Sequence, residues 1–108
     1  MNFIANAFSV NMLQTSDTTV RFTDIEDVEE AAQFALTAKS VVGHDTTAII
    51  FSTILGVDVP CNRATVSLRP GDAVLLGQYS GARLDPNTTT LPEGAKIRWV
   101  KVRILEGV

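Results

Sequence analysis

Residues 96–105 alternate between apolar and basic side chains: Ile97, Trp99, Val102 and Ile104 against Lys96, Arg98, Lys101 and Arg103. Successive side chains of a pleated strand point to opposite faces, so a two-residue period selects a strand and excludes a helix. One step in the alternation, near Val100, predicts a bulge. A strand this long needs neighbours, because even an isolated pair of strands is marginal in water.

The rest of the chain offers them. Residues 73–79 are almost wholly apolar and predict a central strand, preceded by the Arg69-Pro70-Gly71-Asp72 turn and, before that, by a strand at 64–68. A short first strand is predicted over residues 3–8, interrupted by Asn6, and a second over 19–23, where β-branched residues alternate with others. Two helices fall between. The first starts at Asp24 as N-cap, carries Asp27, Glu29 and Glu30 in its opening turns, and runs to about Lys39 with Val28, Ala31, Ala32, Ala35 and Leu36 as its buried stripe. The second runs from His44 or Asp45, with Asp45 or Thr46 as cap, to Leu55; Ala48, Phe51 and Leu55 share one face and Gly56 supplies the stop. The predicted order is β-β-α-α-β-β-β. That is a mixed α+β fold: a small mixed sheet of about five strands flanked by helices, in one domain spanning 1–108.

Composition narrows the function classes. Hydrophobic residues at 45% and charged residues at 19% describe a globular chain able to bury a core. The lone Cys61 excludes an internal disulfide and a cysteine-based metal site, and suits a cytoplasmic protein. No apolar run approaches the ~20 residues of a membrane span, and the first residues do not read as a signal peptide. No membrane association and no export are expected. A net charge of −3 argues against a surface for long nucleic acid. The charge is uneven, however: Arg63, Arg69, Arg83, Lys96, Arg98, Lys101 and Arg103 all lie in the second half, which leaves room for a local site that takes a compact anion.

The chemistry concentrates at 40–48, where the only histidine, His44, follows Gly43 and precedes the second helix. Histidine exchanges a proton near neutrality with little help, and the unpaired N–H groups of a helix start attract phosphate. Together they suggest phosphodiester chemistry; the alternative is a surface histidine beside a helix cap. Asn6 and Ser9 are polar groups at a strand end, with capping of the following turn as the competing role. After the central strand come Gln78, Tyr79, Ser80, Gly81, Ala82 and Arg83, small or polar residues where a strand reaches a site, and then a Pro/Thr/Gly-rich loop at 85–94 suited to binding or closing. There is no P-loop, dinucleotide fingerprint or His/Asp/Glu metal cluster, so neither a cofactor nor a metal is expected.

Several fragments, taken in order along nearly the whole chain, carry a family resemblance. They are Ile4-Ala5-Asn6-Ala7-Phe8-Ser9-Val10-Asn11-Met12-Leu13, Val42-Gly43-His44-Asp45-Thr46-Thr47, Asn62-Arg63, Pro70-Gly71-Asp72, Gln78, Arg83-Leu84 and Pro92-Glu93-Gly94. In these the chain resembles the viral ring nucleases that act as type III anti-CRISPR proteins. The resemblance implies a homodimer that encloses cyclic tetra-adenylate and cuts it in the cytoplasm of an infected cell, silencing the defence nucleases which that messenger activates. It also implies a catalytic role for His44 and ligand contacts from Asn6, Ser9, Arg63, Gln78 and Arg83. The family's glutamate three residues after the Arg-Leu arginine is replaced by Pro86. Glu93, after an apparent insertion, is the preferred substitute and Asp85 the nearer acid. A non-catalytic sponge that sequesters a cyclic nucleotide is the alternative function.

Overall fold

The computed structural model describes residues 1–15 and 17–106. Its strands are β1 (Asn2–Ala5), β2 (Thr19–Ile25), β3 (Lys39–Ser40), β4 (Ala73–Ser80) and β5 (Lys96–Leu105); its helices are α1 (Val28–Leu36) and α2 (Asp45–Leu55), with a 3-10 turn at Val10–Met12. The strands form one sheet in the order β2-β5-β4-β1-β3. β1 runs parallel to both β3 and β4, while β5 is antiparallel to β4 and β2. The mixed α+β class expected from the sequence is therefore the class observed, and β4 is central.

The element order differs from the expected one in two places. A short strand, β3, sits between the helices, and residues 64–68 form no strand. β3 already occupies the sheet edge beside β1, so 64–68 passes across the sheet, bridging only at Leu13–Leu68 and laying Val66 and Leu68 onto its face.

Both faces of the sheet are covered, by different means. On one, Ile4, Ile25, Leu75 and Trp99 pack against Ala31 and Ala35 of α1 and Ala48, Phe51 and Leu55 of α2. On the other, Phe3, Ala5, Val74, Leu76, Val100, Val102 and Ile104 lie under Leu68 and the partly buried Phe8, Met12, Leu13 and Val66. This accounts for the irregular step in β5. No bulge is present: the register runs unbroken from Ala73↔Arg103 to Ser80↔Lys96 and from Thr19↔Leu105 to Ile25↔Trp99. The strand's first half buries odd positions beneath the helices and its second half buries even positions beneath the coil segments.

α1 begins three residues later than expected. Asp27 is the N-cap, accepting the Glu29 N–H at 2.9 Å, whereas Asp24 remains in β2 and receives Arg98 in a two-pronged ion pair at 2.8 and 3.2 Å. Ile25, buried against the helices, extends the strand past Asp24. Ala31 and Ala35 are the buried stripe; Val28 and Leu36, expected in it, are exposed. α2 matches its expected span, and Gly56 ends it in the left-handed conformation at φ 68°.

Candidate functional site

The polar residues singled out in the sequence gather where β1 ends and α2 begins. β1 stops at Ala5, and the next side chain, Asn6, accepts the Gly43 N–H at its Oδ1 at 3.2 Å. The Arg63 Nε donates to the Gly43 carbonyl at 2.7 Å. The segment carrying Arg63 is itself tied down. Asn62 donates its Nδ2 to the Ser40 carbonyl at 2.8 Å and its backbone N–H to the Val42 carbonyl at 2.7 Å.

His44 follows as the N-cap of α2, extended at φ −132° and ψ 124°, with no hydrogen bond from its side chain to the helix start. Neither Asp45 nor Thr46 is the cap. Thr46 instead donates to the Pro86 carbonyl at 3.4 Å, which holds the loop after β4 against the first turn of α2, while the Tyr79 hydroxyl closes the start of that loop on the Ala82 carbonyl.

Two open cavities meet at His44 and Arg63. One, about 620 Å³, also takes in Asn6, Asn11, Gly43 and Thr65 over an apolar floor. The other, about 1010 Å³, adds Tyr79, Arg83 and Asp85. The structure thus brings together Asn6, His44, Arg63 and Arg83 from four separate stretches of chain. Among the described residues neither arginine is in an ion pair, so both guanidinium groups are available to an anion. The Cys61 thiol stands beside the Asp45 carboxylate. Loss of hydration, and then that carboxylate, hold it above its ordinary range and keep it protonated.

Ser9, Gln78 and Glu93 line neither cavity. Ser9 caps the 3-10 turn, accepting the Asn11 N–H at 3.2 Å, the competing role foreseen for it. Gln78 is exposed on β4, paired with Arg98 and two residues beyond Leu76, the partner of Ala5. Glu93 is exposed in a turn closed by the Ala95 N–H on the Pro92 carbonyl. Asp85 does line the larger cavity. Sequence reasoning gave no role to Asn11 or Thr65, which only their place in the cavity with His44 and Arg63 marks, whereas Tyr79 lies in the polar stretch expected to reach a site. Among the described residues no three His, Cys, Asp or Glu side chains gather as a metal site would require.

Sheet, helices and cleft together define a small mixed α+β protein with an open polar site at the start of α2. The chain belongs to the STIV B116-like family, which it matches over residues 2–98. Among solved structures it is similar to B116 of Sulfolobus turreted icosahedral virus, at 29% identity over 94% of this chain and 97% of that one, with a TM-score of 0.80. No curated protein matches the chain. No helix among the described residues is long and apolar enough to cross a membrane.

Proposed function

We propose that the protein is an anti-CRISPR ring nuclease that binds cyclic tetra-adenylate and cleaves it in the cytoplasm of an infected cell. The observation that carries this reading is the convergence of one histidine and two arginines without ion-pair partners on a cavity of about 1010 Å³. A ribose 2′-oxygen, held in line, attacks the adjacent phosphorus. The new bond to the 2′-oxygen forms as the bond to the 5′-oxygen breaks, giving a 2′,3′-cyclic phosphate. The nucleophile is internal to the substrate, so the chemistry asks the protein to orient, to stabilise charge and to supply a proton. His44 protonates the departing 5′-oxygen, and the 2′-hydroxyl proton passes to solvent. Arg63 and Arg83 hold the phosphate through their forked donors, together with the free N–H groups at the start of α2. Asn6, Ser9 and Gln78 belong to the wider ligand surface implied by the family resemblance. Of the two acids considered at the altered position, Asp85 takes the role, since it lines the cavity and Glu93 does not.

A ring with internal symmetry is most simply held on a two-fold axis, which makes the active species a homodimer. The competing reading is a sponge that sequesters the ring intact, favoured by Pro86 standing where the family resemblance implies a glutamate. Incubating purified protein with labelled cyclic tetra-adenylate in the presence of a chelator distinguishes the two. Linear product bearing a 2′,3′-cyclic phosphate supports the nuclease; ring retained uncut supports the sponge; no retention and no product rejects both.

A further inference from the structure

The hydrogen bonds around Gly43 give Asn6 and Arg63 a second task that ligand contact does not cover. The His44 imidazole makes no capping bond to its own helix, and His44 is exposed. With no capping bond among the described residues to hold the ring, the position of the His44 backbone limits where the proton donor can reach. That backbone is gripped immediately upstream, with the Gly43 N–H on the Oδ1 of Asn6 at 3.2 Å and the Gly43 carbonyl on the Nε of Arg63 at 2.7 Å. The grip ties the end of β1, the start of α2 and the segment after Pro60 to one residue, Gly43. It also explains the choice of arginine over lysine at 63. A guanidinium donates through Nε to the carbonyl while its two terminal nitrogens remain for a phosphate, whereas an ammonium has its three donors on one nitrogen and no planar fork to present.

We infer that Asn6 and Arg63 are positioning residues that fix where the His44 backbone, and so the base of its side chain, stands by holding the Gly43 N–H and the Gly43 carbonyl. This rests on His44 being the proton donor of the proposed reaction, but the clamp can be read without any ligand. His44 is the sole histidine, so the free protein gives one set of imidazole ring signals in a proton–carbon spectrum. In Asn6→Ala and in Arg63→Ala those signals are expected to move toward the positions of free histidine. With cyclic tetra-adenylate, Asn6→Ala should cut about tenfold more slowly at saturation, the scale of a misplaced reacting group. Its affinity for the ring should change by less than about threefold, because the arginines remain. Ring signals unmoved in both alanine variants overturn the inference. Should Asn6→Ala not fold, Arg63→Ala, at an exposed side chain, carries the same spectral test. If wild type binds no ring, the proposed function fails while the spectra still decide the clamp.

Discussion

His44 is exposed at the mouth of two cavities, so removing its imidazole opens no hole in the core. His44→Ala is expected to fold, to bind the ring and to cleave it in a single turnover by ~10²-fold more slowly, the usual scale for losing a proton donor. Cleavage at the wild-type rate would remove His44 from the mechanism. The two candidate acids are separable in the same assay. Asp85→Asn should slow cleavage more than Glu93→Gln, because only Asp85 shares a cavity with His44 and Arg83. The opposite ranking would return the role to Glu93. At this scale the sequence was informative about residue type and weak about partners. A histidine after glycine and before a helix is conspicuous; that Asn6 and Arg63 would meet at Gly43, 37 and 20 residues away in sequence, is not.

Among the elements, β4 is held by what it lacks. Gly77 faces the Phe51 and Trp99 rings, whose centroids are 4.8 Å apart, and a β-carbon there would come within 2.7 Å of the indole and still closer to the phenyl ring. Gly77→Ala should therefore destabilise the protein by ~1–3 kcal/mol, the cost of forcing volume into a packed core. A denaturant midpoint equal to wild type would show that the rings yield freely. α1 depends on its first turn instead: Asp27→Ala removes the side-chain acceptor for the Glu29 N–H and should cost about 1 kcal/mol. The cap was misplaced in the sequence reading because Asp24 and Asp27 are equally good caps by type. The decision came from Ile25, which gains more as a buried strand residue than as part of a helix turn. The strand expected at 64–68 shows the same limit, for β-propensity does not reveal whether a sheet edge is already taken.

For the whole molecule, the start of the chain is tied to the turn that leads into the central strand. The Met1 ammonium lies 3.1 Å from an Asp72 carboxylate oxygen, and the other oxygen accepts the Arg69 N–H at 3.0 Å. Burial pushes this carboxyl up, but the Arg69 N–H and the ammonium outweigh it, leaving it below its ordinary value of 3.8. A depressed carboxylate stabilises the fold above its unfolded value and loses that contribution as pH falls through the folded one. Asp72→Asn should therefore melt below wild type near neutral pH, with the gap closing in acid below the ordinary carboxylate range; a gap constant with pH would contradict this. The proposed homodimer is tested by sedimentation, where a monomer both with and without cyclic tetra-adenylate would exclude a ring shared on a two-fold axis. Ring affinity should also fall with ionic strength, since exposed Arg63 and Arg83 face a screened phosphate.

The sequence by itself determined the local periods: a ten-residue alternation that can only be a strand, an apolar run that must lie at the centre, and an eleven-residue helix stopped by Gly56. These follow from side-chain geometry within a few residues, which is all that a one-dimensional pattern encodes. Only the tertiary structure decided which face of β5 is covered along each half, whether 64–68 pairs or merely covers, and which polar side chains meet at Gly43. Each of those is a choice among distant segments competing for one surface. The winner is set by the area left uncovered and the hydrogen bonds left unmade once the other elements are in place.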